Sequence, residues 1–305
     1  MSSVLTIIPT LYAQHLARLM KMPEDGEIVY LEGNKEGKRF FPDGEIYVKL
    51  PKTELGKRII VLHTGAPDPN GGIVELEMLL RILINLGYKD IEVFFSYFPY
   101  GMQDSPKHPG ETNAAENLIQ KLTNFYGVNK IYVLDAHFFG QPWFEKYPIK
   151  NISPSLLLKQ VALKDYPSAT FLAPDQGSQR RMVLQGTTKK RINSFEIDIM
   201  HDENFISIVK NQTVGVIDDL VETGGTAVKF AELCHKFGAK DVIALVTHGL
   251  LDSGIQRLKK SYSKIYLTNS IKHADANIDI SALILDEILS VHKVSKGWYD
   301  NKNET

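Results

Sequence analysis

Two adjacent carboxylates followed by a glycine pair are the residues whose types and spacing point most directly to chemistry. Residues 213–217 read Thr-Val-Gly-Val-Ile, residues 218–226 read Asp-Asp-Leu-Val-Glu-Thr-Gly-Gly-Thr, and residues 227–237 carry apolar side chains at helical spacing. A buried strand is therefore expected to run into a polar turn that opens a helix. Such a turn aims backbone N–H groups and the positive end of a helix dipole at one point, and Gly224 and Gly225 keep Cβ atoms away from an anion there. A phosphate suits that point, beside Glu222, Thr223 and Thr226. Asp218 and Asp219, expected at the strand end, can accept hydrogen bonds from neighbouring hydroxyls such as those of a ribose. By spacing alone the same residues also fit a plain helix cap and a hinge.

The elements that must position this loop follow from the rest of the chain. Short apolar runs at 5–8, 28–31, 59–63, 91–95, 131–134, 171–173, 214–217, 242–246 and 265–267 alternate with stretches of helical spacing such as 73–86, 114–125 and 226–237. That alternation implies an α/β protein with mostly parallel sheets flanked by helices, in which ligands collect beyond the carboxyl ends of the strands. At 305 residues the chain has room for two domains. A strand-end motif recurs in each half, so two similar halves are expected, 1–149 and 150–305. The polar stretch 146–155, with Pro148 and Pro154, is the expected crossing point. The charged tail after Trp298 reads as frayed or disordered.

Composition narrows the partners. With 35 basic and 36 acidic residues, no global field recruits nucleic acid or an anionic membrane. The single cysteine, Cys234, sits in an apolar helical pattern and forms no internal disulfide, which suits a reducing cytoplasm. No stretch approaches the roughly 20 apolar residues that span a bilayer, and no secretory leader pattern opens the chain. A soluble cytoplasmic protein is expected.

Six further motifs follow, most of them near expected strand ends. Residues 39–48, Arg-Phe-Phe-Pro-Asp-Gly-Glu-Ile-Tyr-Val, read as a Pro-Asp-Gly turn feeding an alternating strand. Residues 97–104 end in Met102-Gln103-Asp104, and residues 135–137 are Asp-Ala-His. His137 there is either a structural histidine or a ligand. In Pro174-Asp175-Gln176-Gly177-Ser178, Asp175 either caps the following helix or serves as a ligand. The basic run Lys189-Lys190-Arg191 is either a solvated face or part of a site. Finally, 247–254 is Thr-His-Gly-Leu-Leu-Asp-Ser-Gly, in which His248 and Ser253 are expected on the floor of the sugar site.

The string Asp218-Asp219 to Thr223-Gly224-Gly225-Thr226 resembles the phosphoribosyl-binding loop of type I phosphoribosyltransferases and of ribose-phosphate pyrophosphokinases (PRPP synthetases). The other motifs resemble the latter family in order and spacing over nearly the whole chain. The resemblance implies two phosphoribosyltransferase-type domains and transfer of a pyrophosphoryl group from MgATP to the anomeric hydroxyl of ribose 5-phosphate, releasing AMP and PRPP. It implies that Asp218, Asp219, Glu222, Thr223, Gly224, Gly225 and Thr226 bind ribose 5-phosphate. ATP would lie against Phe41, Asp43, Glu45, Met102, Gln103, Asp104 and His137, with the first three reaching across a subunit interface in a homodimer or homohexamer. Mg²⁺ would be held by His137 and Asp175, with Asp135 orienting the histidine. Lys189 and Arg191 would be catalytic cations meeting the transferred group. The chain departs from the family at Met102, where the family carries an arginine, and a thioether cannot form a forked contact to phosphate. That departure, with Glu222 in place of an aspartate, keeps open a larger acceptor such as ADP-ribose; the shared Asp-Asp to Thr-Gly-Gly-Thr loop keeps open a phosphoribosyltransferase, and a silent regulatory homologue is the third alternative.

Overall fold

The structure is a computed structural model that describes residues 4–175, 177–179, 181 and 203–299. Its framework is two parallel sheets. The first contains β1 (Leu5–Pro9), β2 (Gly26–Ile28), β3 (Arg58–Thr64), β4 (Ile91–Tyr97), β5 (Lys130–Leu134) and β6 (Ile149–Ile152), in the order β2-β1-β3-β4-β5-β6. The second contains β7 (Thr170–Leu172), β8 (Thr213–Val221), β9 (Asp241–Gly249) and β10 (Lys264–Leu267), in the order β10-β9-β8-β7. Every ladder within them is parallel.

Strand residues alternate between two cores, as the period of two requires. In β3, Ile59 and Val61 face one core and Ile60 and Leu62 the other. In β9, Val242, Ala244 and Val246 face one core while Ile243 and Leu245 face its opposite. Burial on both faces explains why these strands read as continuous apolar runs. Helices supply the covers. The first is α1 (Gln14–Ala17), and α2 (Pro69–Asn85) lays Leu76, Leu79, Leu80 and Leu83 onto one face of the first sheet. After α3 (Ala114–Gln120) comes a π-helical turn, Lys121–Phe125. In the second domain, α5 (Glu203–Val209), α6 (Gly225–Lys236) and α7 (Asp252–Ser261) contribute Phe205, Phe230, Ala231, Cys234, Ile255 and Leu258 to a core with β8 and β9.

Two connections bear on the halves. The stretch 146–155 contains β6, the edge strand of the first sheet, and the chain passes to the second sheet through α4 (Ser155–Asp165). The last helix, α8 (Ser281–Tyr299), returns to the first sheet, where Ile284, Leu285 and Ile288 pack with Ile7, Ile60 and Leu62. There Arg58, buried in a two-pronged ion pair with Glu92, donates from Nη1 to the carbonyl of Ile288 at 2.8 Å. Residues after 299 lie outside the described set.

Candidate active site

The turn after β8 is built around one left-handed glycine. Gly224 has φ 75°, a conformation that costs a Cβ-bearing residue about 1–2 kcal/mol, and it begins α6 with no side chain capping the helix. The first N–H groups of α6 therefore remain uncapped beside the residues Thr223 to Ala227, which line a cleft of about 180 Å³. Loop and neighbouring helix touch backbone to backbone, because a Cβ on Gly254 would stand 2.1 Å from the Glu222 carbonyl oxygen. Asp218 and Asp219 lie inside β8 and not at its end. The ladder to β9 continues through Asp218↔Val246 to Val221↔Gly249, beyond the apolar run at 214–217.

Both aspartates are buried and each is held by named partners. Asp218 Oδ1 accepts from the Ser178 hydroxyl at 2.7 Å and from the Asp219 N–H at 3.1 Å. Asp219 Oδ1 accepts from Arg181 Nη2 at 2.5 Å, and its Oδ2 lies 2.8 Å from His137 Nδ1. An ionised carboxylate only accepts, so Nδ1 carries the proton, and a neutral ring keeps its lone pair on Nε2. Burial, and next the neighbouring Asp219, push Asp218 well above the usual carboxylate range. Burial also opposes ionisation of Asp219, but the His137 hydrogen bond and the Arg181 guanidinium outweigh it and hold this group below its ordinary value. Arg181 is itself buried; that burial disfavours its charge, yet the four surrounding aspartates, Asp219, Asp218, Asp135 and Asp175, favour it more.

The cleft gathers Met102, His137, Asp175, Asp218, Asp219, Glu222, Thr223, Gly224, Gly225 and Thr226 from the residues expected at a site, and it adds Arg181 and Leu220. The expected ATP residues divide. Met102 is exposed on the rim. Gln103 is exposed and does not line the cleft, and Asp104 is buried, its carboxylate accepting from Gln141 and Ser105. Phe41, Asp43 and Glu45 form the expected turn: the Gly44 N–H donates to the Phe41 carbonyl, and all three side chains are exposed away from the cleft. Lys189 and Arg191 lie outside the described residues. Asp175 caps its helical segment, accepting from the Ser178 N–H at 2.8 Å, and still lines the cleft.

One further expectation is corrected. Asp135, at φ 45°, accepts from Thr247 Oγ1 at 2.6 Å, and the partner of His137 is Asp219. His248 bridges the domains, with Nε2 3.1 Å from the Leu134 carbonyl and Nδ1 2.9 Å from Ser270 Oγ, and it lines a small cavity with His137, Asp219 and Leu220 beside the cleft, whereas Ser253 is exposed on α7. Sequence reading gave Ser178 and Arg181 no role. The signal was their mutual spacing of three, which makes Ser178 and Arg181 neighbours on one face of a helix that opens after Asp175.

The donor set fits a hard divalent cation. Asp175, Asp218, Asp219 and Glu222 offer oxygen, and Arg181 is the single arginine among the described lining residues. Among the described residues no three His, Cys, Asp or Glu side chains form a cage by themselves. Such a set suits a divalent cation that one or two carboxylates hold together with substrate phosphates. No helix of the described residues is long and apolar enough to cross a membrane.

Comparison with known proteins shows the family. A model described as the N-terminal domain of ribose phosphate pyrophosphokinase matches residues 30–125, and a phosphoribosyl transferase domain model matches residues 178–284. A ribose-phosphate pyrophosphokinase of Pyrococcus furiosus is 30% identical over 259 residues, covering 81% of this chain and 89% of the relative. One from Helicobacter hepaticus is 30% identical over 258 residues, covering 80% and 81%. The fold is that of the phosphoribosylpyrophosphate synthetase of Mycobacterium smegmatis, with a TM-score of 0.74 at 22% identity, covering 95% of this chain and 99% of that one. A chain with these two domains, this fold and relatives matched over most of their length belongs to the ribose-phosphate pyrophosphokinase family.

Proposed function

We propose that this enzyme moves the β,γ-pyrophosphoryl group of ATP onto the anomeric hydroxyl of ribose 5-phosphate, giving PRPP and AMP in the presence of Mg²⁺. The observation that carries this reading is the meeting, in one cleft, of the uncapped start of α6, the Asp218–Asp219 pair, and His137 with Asp175. The N–H groups from Thr223 to Thr226 and the dipole of α6 receive the 5-phosphate, and the aspartate oxygens toward the cleft accept from the ring hydroxyls. Residues 150–305 thus supply the sugar side and residues 1–149 the nucleotide side.

Each of the chain's own groups has a task in the transfer. A loose phosphoryl-type transition state spreads charge over non-bridging oxygens, so positioning and charge neutralisation carry the rate. His137, oriented through Nδ1 by Asp219, and Asp175 would hold Mg²⁺, which when bound neutralises the nucleotide phosphates. Lys189 and Arg191 meet the charge that develops on the transferred group. Met102 packs against the nucleotide by dispersion in place of a forked contact. Phe41, Asp43 and Glu45, exposed and outside their own cleft, serve the adenine site of a neighbouring subunit in a homo-oligomer.

Incubation with ATP, Mg²⁺ and ribose 5-phosphate is expected to yield AMP and PRPP in equal amounts. Absence of both at high enzyme concentration removes the proposal. Gly254→Ala provides a second check on the sugar loop. Its added Cβ would meet the Glu222 carbonyl oxygen at 2.1 Å, which backbone cannot accommodate without moving. Affinity for ribose 5-phosphate, read by calorimetry, is expected to fall about tenfold or more, since a misplaced site of about 1 Å commonly costs that much. An unchanged affinity would separate the loop from the sugar phosphate.

A further inference from the structure

We propose that Ser178 is the positioning residue of the sugar-phosphate site, an inference that rests on the reading of the cleft just given. One serine joins three aspartates of that cleft. Its hydroxyl donates to Asp218 Oδ1 at 2.7 Å and accepts from Arg181 Nη2 at 2.9 Å. Its N–H donates to Asp175 Oδ1 at 2.8 Å, and the same Arg181 nitrogen continues to Asp219 Oδ1. A serine hydroxyl has one proton, so with Arg181 donating to it the direction of this chain is set, and the proton must go to Asp218.

Ser178 is buried and does not line the cleft, whereas Arg181, Asp175, Asp218 and Asp219 do. It therefore acts on a bound sugar through them. The terminal torsion of an aspartate is soft, so its carboxylate plane takes the orientation that its partners impose. Ser178 and the Asp219 N–H both engage Oδ1 of Asp218, which leaves Oδ2 as the oxygen to present to a ring hydroxyl. Without the hydroxyl that plane is free to turn, and Arg181 loses the acceptor that directs it between Ser178 and Asp219. A void of about 10 Å³, too small for a full methyl group, lies between Ser178, Ser155, Ile217, Arg181 and the aspartates, so the methyl of Ser178→Thr is taken up by a slight shift of these neighbours.

The test compares Ser178→Ala with Ser178→Thr in the full chain. It reads calorimetric affinity for ribose 5-phosphate without nucleotide or metal, the KM for each substrate, and Tm. Loss of one hydrogen bond in this buried polar network predicts about a tenfold weaker sugar phosphate affinity and a matching rise in its KM for Ser178→Ala. The KM for ATP is expected to stay within about twofold, and Ser178→Thr, which keeps the hydroxyl, to restore the sugar affinity. Equal affinity in wild type and Ser178→Ala overturns the inference, as does equal weakening in both variants or a parallel shift of both KM values with Tm. Should the wild-type protein neither bind the sugar phosphate nor turn it over, the reading of the cleft falls, and this inference falls with it.

Discussion

Asp219→Asn is expected to lower the rate of AMP release by about 10²–10³, the loss typical of removing one preorganised electrostatic contact. The carboxylate accepts on both oxygens, from Arg181 on one and from His137 on the other. An amide offers one acceptor and one donor, so either the guanidinium or the imidazole N–H would face an NH₂ group. His137 would lose its orientation, or Arg181 its partner, whichever way the amide turned. Stability is expected to fall as well, because Arg181 and Asp219 are both buried and breaking such a pair costs about 3–5 kcal/mol. The double variant Asp219→Asn with Arg181→Met separates the two effects. Removing the stranded charge should recover much of the Tm and none of the turnover, whereas recovery of both would make the pair purely structural. Denaturant unfolding and a coupled AMP assay on the same preparations decide between them.

The second large effect is acid sensitivity of the fold. His63 is wholly buried beside Phe95, and desolvation lowers its pKa to about 3; its Nδ1 meets Thr10 Oγ1 at 3.0 Å, and its Nε2 has no partner among the described residues. His248 is also buried, and desolvation lowers it to about 4. Both histidines take up protons near pH 6.5 in the unfolded chain and refuse them in the folded one. Their stabilising contribution is therefore complete above about pH 6.5 and is lost as pH falls toward those folded values. Each costs about 1.4 kcal/mol per pH unit in that window, so by pH 5 the two together remove on the order of 4 kcal/mol. Asp218 acts with the opposite sign, since its raised folded value lets the native state bind a proton first, and it offsets one of the two histidines at most. The urea midpoint is expected to drop clearly between pH 7 and pH 5, and a flat profile would contradict the burial of these rings as neutral groups. Asp219 enters only below its ordinary carboxylate range, where its depressed value withdraws stability in turn.

The legible parts of the molecule were those whose cause is local. Strands buried on both faces must be apolar throughout, so β3, β4, β5 and β9 stand out as runs of Val, Ile, Leu and Phe. The Gly224–Gly225 pair announced its turn because only glycine enters a left-handed cap without strain, and the same holds for Gly44 after Pro42-Asp43. Strand limits were less legible. β8 runs on through the aspartate pair because β9 continues to pair with it, a nonlocal cause that polarity conceals. β6 was hidden between two prolines and carries partly exposed residues at the sheet edge.

Partnerships across the domains were the least visible. Nothing within residues 135–137 shows that Asp135 turns to Thr247, or that His137 meets Asp219, residues more than 80 positions away. His248 reads as a site residue from the Thr-His pair, but the pair does not show that the approach of β5 takes its Nε2 to the Leu134 carbonyl. Arg181 carries no local signal of its partners. Its role follows from burial among four aspartates, which only the packing of both sheets creates.

The most direct measurement is a crystal structure of the protein grown with ribose 5-phosphate. The 5-phosphate is expected on the N–H groups of residues 223–226, with ring hydroxyls within hydrogen-bond distance of Asp218 and Asp219. A sugar phosphate bound elsewhere, with the start of α6 and both aspartates untouched, would contradict the account.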